Sequence, residues 1–316
     1  MAPSTPGRWW VKAALQGAVA TVPRATALTD AVRRRRSPYL TETYFLSKWH
    51  HVVQHLRALD AAGSGTTVAG ATATGARAVE IGTGWFPIVP LGLAVHGCDV
   101  VTIDVAGHLD PSRVRLAMQV LSDLAADGRI TVASPTRLAR LRSLVDSPAN
   151  ATVSDLLAPL GITRHLADAA DLSGLPDTHG ATLFVSNNTL EHIHPVTIRA
   201  IFTELARVGS PRALMSHYID LADHYAGHDP RINEFHFLTL GPRRWRLANN
   251  RLGYQNRLRI GDYRRLLSET GWVVTSEALT RRKRDELERL DLVPPFDTTP
   301  VSDLLVVKAH LVAARA

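Results

Sequence analysis

Short apolar runs and helix-like patterns alternate along most of the chain. Residues 78–81 form a run of strand length that is apolar except for Glu80, and residues 100–103 form a second run rich in β-branched side chains, as in buried parallel strands. Between these runs, Pro87 suits the first turn of a helix and Gly97 suits its end. The pattern predicts strand, turn, helix and strand, with Asp104 at the carboxyl end of the second strand.

The same alternation continues towards the end of the chain and predicts five more strands. These strands cover residues 161–166, 181–185, 213–219, 272–278 and 304–312. The helical patterns around them cover residues 111–126, 136–145, 153–160, 195–208 and 262–270. This order of elements predicts an α/β fold with a seven-stranded, doubly wound sheet.

Segments outside this alternation divide the chain into parts. The predicted parts are an N-terminal helical extension (residues 1–62), a flexible linker (63–75) and a domain (76–316) with insertions near 105–160 and 220–260. In the extension, Phe45, Trp49, Val52 and Leu56 recur at helical spacing and give a helix over residues 39–62 one apolar face. The linker is rich in Gly, Ser, Thr and Ala. We expect the first insertion to be a helical cap and the second to be polar and irregular.

The amino-acid composition is that of a globular α/β protein without disulfides or membrane spans. A chain of 316 residues with 45% hydrophobic residues can bury a full α/β core. Cys98 is the only cysteine, so no disulfide can form within the chain, as suits a reducing cytoplasm. No stretch approaches the roughly 20 apolar residues of a membrane span. The run around Ala18 superficially resembles a signal peptide, but Lys12 and Gln16 interrupt it. We therefore expect a docking helix there and a cytoplasmic protein.

The turn after the first strand carries the strongest chemical signal. Gly82 and Gly84 allow a tight turn in which the backbone approaches a ligand without interference from Cβ atoms. Asp104 can hold a ribose diol at the end of the second strand. A dinucleotide site needs a third glycine where this chain has Pro87, and Glu80 suits an ammonium group better than a pyrophosphate. The turn therefore predicts an adenosine-containing ligand that also carries an amino group.

An acid-x-Gly-x-Gly turn followed by an acid at the end of strand two resembles the S-adenosylmethionine (SAM) site of class I methyltransferases. That family usually has a third glycine where this chain has Phe86, and residues 186–192 (SNNTLEH) resemble its S-N-x-x-L-E-H stretch after strand four. The resemblance covers about residues 76–312. It implies a SAM cofactor, with adenine at Asp168 or the alternative acid Asp171. The implied cofactor residues are Glu80, Gly82, Thr83, Gly84, Trp85, Asp104, Asp168, Ala169 and Asn187.

Candidate acceptor residues follow strands four and five, where the family builds its acceptor pocket. A general base is needed only if the acceptor must lose a proton. The candidate catalytic residues are His224, His192, Asp220 and Asp223. The candidate substrate-binding residues are His194, His217, Tyr218, Arg244, Trp245 and Tyr254. In this family, the histidine after strand four often has only a packing role and no catalytic one. The same histidines and acids could hold a metal, but their spacing matches no standard site, so we expect none.

The net charge of +7 and an arginine-rich stretch at residues 231–259 bear on the acceptor. Arginines interleaved with aromatic residues suit an anionic or aromatic small molecule, and also single-stranded RNA. Residues 186–189 lack the Asn/Asp-Pro-Pro-aromatic motif of enzymes that methylate the exocyclic amines of bases, and residues 293–296 (VPPF) lie too late in the chain. We therefore predict O- or N-methylation of a small molecule, such as one of secondary metabolism. The alternatives are an RNA or protein methyltransferase that uses the basic surface, and a SAM-binding partner protein without turnover.

Overall fold

The computed structural model describes residues 8–21, 40–63 and 75–316, and it confirms the predicted α/β class and seven-stranded sheet. Most of the predicted linker, residues 64–74, therefore lies outside the described residues. No described helix is both long and apolar enough to cross a membrane. The strands are β1 (Arg77–Ile81), β2 (Asp99–Asp104), β3 (Ile162–Leu166), β4 (Ala181–Asn187), β5 (Gly209–Asp220), β6 (Trp272–Arg281) and β7 (Val306–Arg315).

The strand order, β3-β2-β1-β4-β5-β7-β6, places β1 and β4 side by side at the centre of the sheet. The first five strands are parallel, and β7 runs antiparallel to both β5 and β6. Ile81 pairs with Ile103 on β2 and with Ser186 on β4, so the carboxyl ends of these three strands lie level. The chain leaves β1 towards one edge of the sheet and returns to β4 to build the other. Open α/β sheets bind ligands at such a switch point.

Helices cover both faces of the sheet, because the central strands carry apolar side chains on each face. Ala78 and Val100 point into one core cluster, and Val79 and Val101 point into the other. The helices are α1 (Trp9–Thr21), α2 (Glu42–Ala61), α3 (Ile88–Val95), α4 (Pro111–Ala126), α5 (Pro135–Val145), α6 (Val153–Leu157), α7 (Pro195–Val208), α8 (Pro242–Ala248), α9 (Ile260–Glu269), α10 (Arg284–Glu288) and α11 (Val301–Leu304).

Helix α2 belongs to the first of these clusters. It begins after Thr41, whose hydroxyl accepts a hydrogen bond from the Tyr44 N–H as an N-cap. The predicted apolar face, including Val52, is buried against α3. Gly92 permits this close packing, because a Cβ there would lie 2.6 Å from Cγ2 of Val52. The docking of α2 brings its polar side chains to the carboxyl end of β4.

Several strand limits differ from the prediction. Strand β3 begins at Ile162, because Gly161 has a φ of 75° and forms the preceding turn. Strand β5 starts at Gly209, directly after α7, and extends to Asp220. Strands β6 and β7 run on to Arg281 and Arg315, because their antiparallel pairing continues past the parallel part of the sheet.

The two insertions also differ from the prediction. Helices α4 to α6 of residues 105–160 pack into the core cluster around α3, so they do not form a cap over the carboxyl ends of the strands. Residues 220–260 are not irregular throughout, because they contain α8. Phe235 and Phe237 form a small buried core there with Phe296.

Candidate functional site

A cavity of about 890 Å³, here called the cleft, lies at the carboxyl ends of β1, β2 and β4. Its outer walls are α1, through Lys12 and Gln16, the start of α2, and residues 251–255. Each predicted cofactor residue lines it, namely Glu80, Gly82, Thr83, Gly84, Trp85, Asp104, Asp168, Ala169 and Asn187. The cleft is also lined by some of the predicted acceptor residues, namely His192, His194, His224, Trp245 and Tyr254. What these residues bind stays a prediction.

The glycine turn forms the floor of the cleft. Gly82 and Gly84 have φ angles of 76° and 71°, which favour glycine. A Cβ on Gly82 would also clash with the side chain of Thr189, which follows β4. The Gly82 N–H donates to the Ile103 carbonyl oxygen at 2.8 Å, which ties the turn to β2. The turn is therefore fixed by both neighbouring strands.

Glu80 is the most unusual group in the cleft. Its side chain is buried with 2% exposure, and its Oε2 has no hydrogen-bond partner in the described part of the chain. Its Oε1 accepts a 3.4 Å hydrogen bond from Nδ2 of Asn187. Burial raises the pKa of Glu80 to about 7; the Thr83 hydroxyl beside the carboxylate opposes this shift, and the nearby Asp104 carboxylate adds to it. An oxygen left in this state is suited to accept a hydrogen bond from a cationic ligand.

Asp104 lies across the turn from Glu80. Its Oδ2 accepts from the Gly84 N–H at 3.1 Å, and its Oδ1 accepts from the Ala106 N–H at 3.0 Å. These two bonds fix the carboxylate at the end of β2. Each oxygen keeps a second lone pair, so the group can still accept bonds from a pair of ligand hydroxyls.

Aromatic and acidic groups line the neighbouring part of the cleft. Trp85 lies 4.5 Å from the ring of His108 in a stacked arrangement, and the Arg113 guanidinium lies over the Trp85 ring. Asp168 follows β3 and accepts a 2.9 Å bond from the Ala170 N–H. This side of the cleft thus contains aromatic rings and a fixed carboxylate.

A hydrogen-bonded network lies behind Asn187. The Asn187 amide presents its NH₂ group to Glu80 and its oxygen to two histidines. His51 Nδ1 donates to that oxygen at 2.9 Å, and His55 Nε2 donates to it at 3.1 Å. The order of donors therefore fixes the ring tautomers of both histidines.

The network continues to the far side of β5. Because His55 donates through Nε2, its Nδ1 accepts, and the Ser216 hydroxyl donates to it at 2.7 Å. Ser216 in turn accepts from Nε2 of His310 on β7 at 2.8 Å. Tyr218 is stacked between the rings of His51 and His310. In this chain each group donates to the next one, from His310 through Ser216 and His55 to Asn187, and Asn187 donates to Glu80.

The buried histidines are held neutral. Burial lowers the pKa of His51 to about 3 and that of His310 to about 4. It also lowers the pKa of His55 well below its usual range. The bonds of His55 require a neutral imidazole, since its Nε2 donates while its Nδ1 accepts.

His192 and His224 approach each other at the other end of the cleft. His192 Nδ1 donates to the Tyr254 carbonyl oxygen at 2.8 Å, so its Nε2 carries a lone pair. The two rings are 5.0 Å apart, and His224 Nε2 lies 3.8 Å from Oδ2 of Asp220. Burial lowers the pKa of His224, and the Asp220 carboxylate opposes this shift. An imidazole lone pair here can take up a proton or bind a cation.

Asp223, a candidate catalytic residue from the sequence, is engaged with His236 rather than with His224. Its side chain is buried and lies 3.2 Å from Nδ1 of His236. Its Oδ1 accepts from the Tyr225 N–H, which closes a turn. Asp220 is therefore the acid beside His224, and Asp223 has a structural partner instead.

Three of the predicted substrate-binding residues lie outside the cleft. Strand alternation turns His217 to the opposite face from Ser216, where it hydrogen-bonds Ser186 and stacks on Phe202 of α7. Tyr218 belongs to the histidine network described above. Arg244 is exposed on α8 and does not line the cavity.

Two arginines of the basic stretch are structural. Arg259 is buried and donates to the carbonyl oxygens of Leu221, Leu304 and Val306. Arg257 donates to the carbonyl oxygens of Phe237 and Leu240, and its guanidinium lies over the Trp245 and Phe296 rings. The interleaved arginine and aromatic residues therefore pack on one another, which removes part of the predicted ligand surface.

Sequence reasoning missed the contribution of α2. Tyr44 and Lys48 line the cleft, and the Lys48 ammonium donates to Oδ1 of Asn188 at 2.6 Å. These two residues and the histidines His51 and His55 are spaced by four, three and four positions. This spacing defines a polar stripe beside the apolar face, and the signal was present in the sequence.

Comparison with known proteins gives structural matches of low sequence identity. No family model and no curated protein matches the chain. Among solved structures, magnesium protoporphyrin IX methyltransferase from Synechocystis, with bound S-adenosylhomocysteine (SAH), is 13% identical with a TM-score of 0.46 and covers 95% of this chain and 99% of its own. A SAM-dependent methyltransferase from Methanosarcina mazei is 15% identical with a TM-score of 0.39 and covers 76% and 92%. At such values the function must be argued from the cleft itself.

The lowered histidine pKa values predict how stability depends on pH. Burial lowers the pKa of His217 to about 3, so the folded chain resists a proton that the unfolded chain takes up near pH 6.5. The free energy of unfolding should therefore fall as the pH drops below 6.5. In His217→Gln the slope should weaken by up to about 1.4 kcal/mol per pH unit. Urea denaturation between pH 7 and 4.5 measures this, with His228→Gln as the control. Equal slopes in both variants would contradict the interpretation.

Proposed function

We propose that the chain is a SAM-dependent methyltransferase that methylates an oxygen or nitrogen of an anionic or aromatic small molecule. The observation that carries the proposal is the unpartnered Oε2 of buried Glu80 in the cleft, across the glycine turn from Asp104. A cytoplasmic location and a role in secondary metabolism remain predictions from the sequence.

The residues of the cleft fit the chemical groups of SAM. Glu80 would accept hydrogen bonds from the ammonium group, and the Gly82–Gly84 backbone would lie against the amino-acid part. Asp104 would accept from the ribose hydroxyls, and Asp168 with Ala169 would border the adenine. Bound SAM would supply a methyl group on a sulfonium, which is transferred by in-line displacement. The protein's task is to align the acceptor and exclude water.

The acceptor would lie at the end of the cleft formed by His192 and His224. Trp245 and Tyr254 line this part and can contact a flat ring. Lys12 and Arg251 also line the cleft, and their positive charges would suit an anionic acceptor. A cavity of about 890 Å³ has the size of small-molecule sites, which favours a small acceptor over a polymer.

Cofactor binding gives the first test. Glu80→Gln should weaken SAH binding about ten- to hundredfold at pH 8, because a charged hydrogen bond is lost. Asp104→Asn should also weaken it. The wild-type Kd should rise up to about tenfold between pH 8 and 6, since protonation at a pKa of about 7 removes the charge of Glu80. Isothermal titration calorimetry measures each Kd.

The matched control is Asp171→Asn, because the structure places this alternative acid outside the lining of the cleft, where its exposed carboxylate accepts hydrogen bonds from Ser173. This variant should bind SAH as the wild type does. In Glu80→Gln the pH dependence should flatten. Unchanged affinity in both Glu80→Gln and Asp104→Asn would refute the proposed cofactor site.

The histidine pair gives the second test. His224→Ala should lower methyl transfer more than it weakens SAH binding, because His224 lies at the acceptor end. Transfer of labelled methyl groups from SAM to a panel of phenols and hydroxy acids measures turnover, and His228→Ala is the control. Equal losses of turnover and SAH affinity in His224→Ala would indicate a structural role.

A further inference from the structure

Three potential metal ligands converge at the acceptor end of the cleft. Glu191, His192 and His224 each offer a ligand atom, and these atoms lie within 4.8 Å of one another. Among the described residues no other group of three histidine, cysteine or acidic side chains meets this condition. Glu191 was not among the candidate residues from the sequence, and the sequence led us to expect no metal.

Glu191 provides an independent sign of a missing ligand. Its residue is 1% exposed, and neither carboxylate oxygen makes a hydrogen bond of ordinary geometry in the described part of the chain, although the backbone N–H groups of Glu191 and Asp220 lie beside it. A buried carboxylate without a partner is costly, and native proteins rarely leave one so. A cation held between Glu191 and the two imidazoles would satisfy it.

The backbone around Glu191 is firmly held. Asn256 donates from Nδ2 to the carbonyl oxygens of Leu190 and Ile193, at 2.8 and 2.9 Å. Its backbone N–H donates to the Glu191 carbonyl oxygen at 2.7 Å. These bonds fix the turn after β4, so the direction of the Glu191 and His192 side chains is set by the fold.

His192 is arranged as metal-binding histidines are. Its Nδ1 donates to the Tyr254 carbonyl oxygen, which leaves the Nε2 lone pair for a cation. Such a bond from the second ring nitrogen is the usual partner of a metal-bound imidazole. Asp220, 3.8 Å from His224 Nε2, adds a second negative charge beside the cluster.

We propose that Glu191, His192 and His224 bind one divalent transition-metal ion of the zinc type, with an open coordination position facing the cleft. Two imidazoles and a carboxylate form a donor set of catalytic zinc and non-haem iron sites, whereas Mg²⁺ and Ca²⁺ prefer oxygen ligands. Ligand atoms around tetrahedral zinc lie about 3.3 Å apart, so the two partly exposed imidazoles would move closer to buried Glu191.

The role of this cation rests on the proposed function. His192 and His224 line the cleft, so the open position faces the acceptor. A hydroxyl bound there would lose its proton to solvent more easily. Its oxygen would then form the new O–CH₃ bond as the methyl–sulfur bond breaks and the electron pair stays on sulfur. The two imidazoles would thus act by holding the cation.

Metal binding by the tag-free, chelator-treated chain tests the proposal. Zn²⁺ titration by calorimetry should give one site per chain, and Co²⁺ should give visible absorption bands typical of nitrogen and oxygen ligands. His192→Ala, His224→Ala and Glu191→Gln should each weaken Zn²⁺ binding at least tenfold. His194→Ala is the matched control, because it removes an imidazole of the same cleft outside the cluster, and it should keep the wild-type affinity.

Each outcome is decisive. No stoichiometric Zn²⁺ binding by the wild type, or an equal loss in His194→Ala, would overturn the proposal. Glu191→Gln could fail to fold, so the exposed His192→Ala carries the test in that case, with thermal unfolding as a check. SAH binding is measured on the same samples. SAH binding without Zn²⁺ binding would refute the metal site alone, and Zn²⁺ binding without SAH binding would refute the cofactor proposal alone.

Discussion

The buried carboxylate of Glu80 is the constraint on which the cleft depends. It lies at the point where the order of strands reverses, level with the carboxyl ends of β2 and β4. Burial raises its pKa from 4.5 to about 7, which corresponds to roughly 3 kcal/mol against the charged form. A protein retains such an unfavourable buried group when the group serves another purpose, such as ligand binding. A cationic ligand that meets the carboxylate would recover this energy on binding.

The polar network behind Asn187 explains how this arrangement is kept rigid. Its donors run in one direction, from His310 through Ser216 and His55 to Asn187. Reversal of one bond would require a different tautomer at a buried ring. The network therefore fixes the amide of Asn187 with its NH₂ group towards Glu80. Three elements that are distant in the chain, α2, β5 and β7, thus support one side chain in the cleft.

The two ends of the cleft share a physical feature. Each has a buried glutamate with at least one oxygen that no described group satisfies: Glu80 lines the cleft at one end, and Glu191 lies next to the lining residue His192 at the other. Each also has a neighbouring aspartate, Asp104 or Asp220, at the end of an adjacent strand. Such unsatisfied acids mark where a ligand is expected. They suggest a positively charged group at both ends.

Much of the fold could be predicted from the sequence, because buried parallel strands are apolar in continuous runs. The Gly82–Gly84 turn could also be predicted, because only glycine suits its φ angles and close contacts. The side of the sheet on which His217 lies could not be predicted, because a shift of one residue in strand register decides whether its side chain faces the cleft or α7. The pairing of Asp223 with His236 and the isolation of Glu191 depend on contacts between distant segments, which no local pattern records.

A crystal structure of the chain with SAH tests the account most directly. We predict that the amino group of SAH lies within hydrogen-bond distance of Oε2 of Glu80, and that the ribose hydroxyls contact Asp104. The sulfur should face His192 and His224. SAH bound outside this cleft, or bound with its ribose at Glu80, would contradict the account.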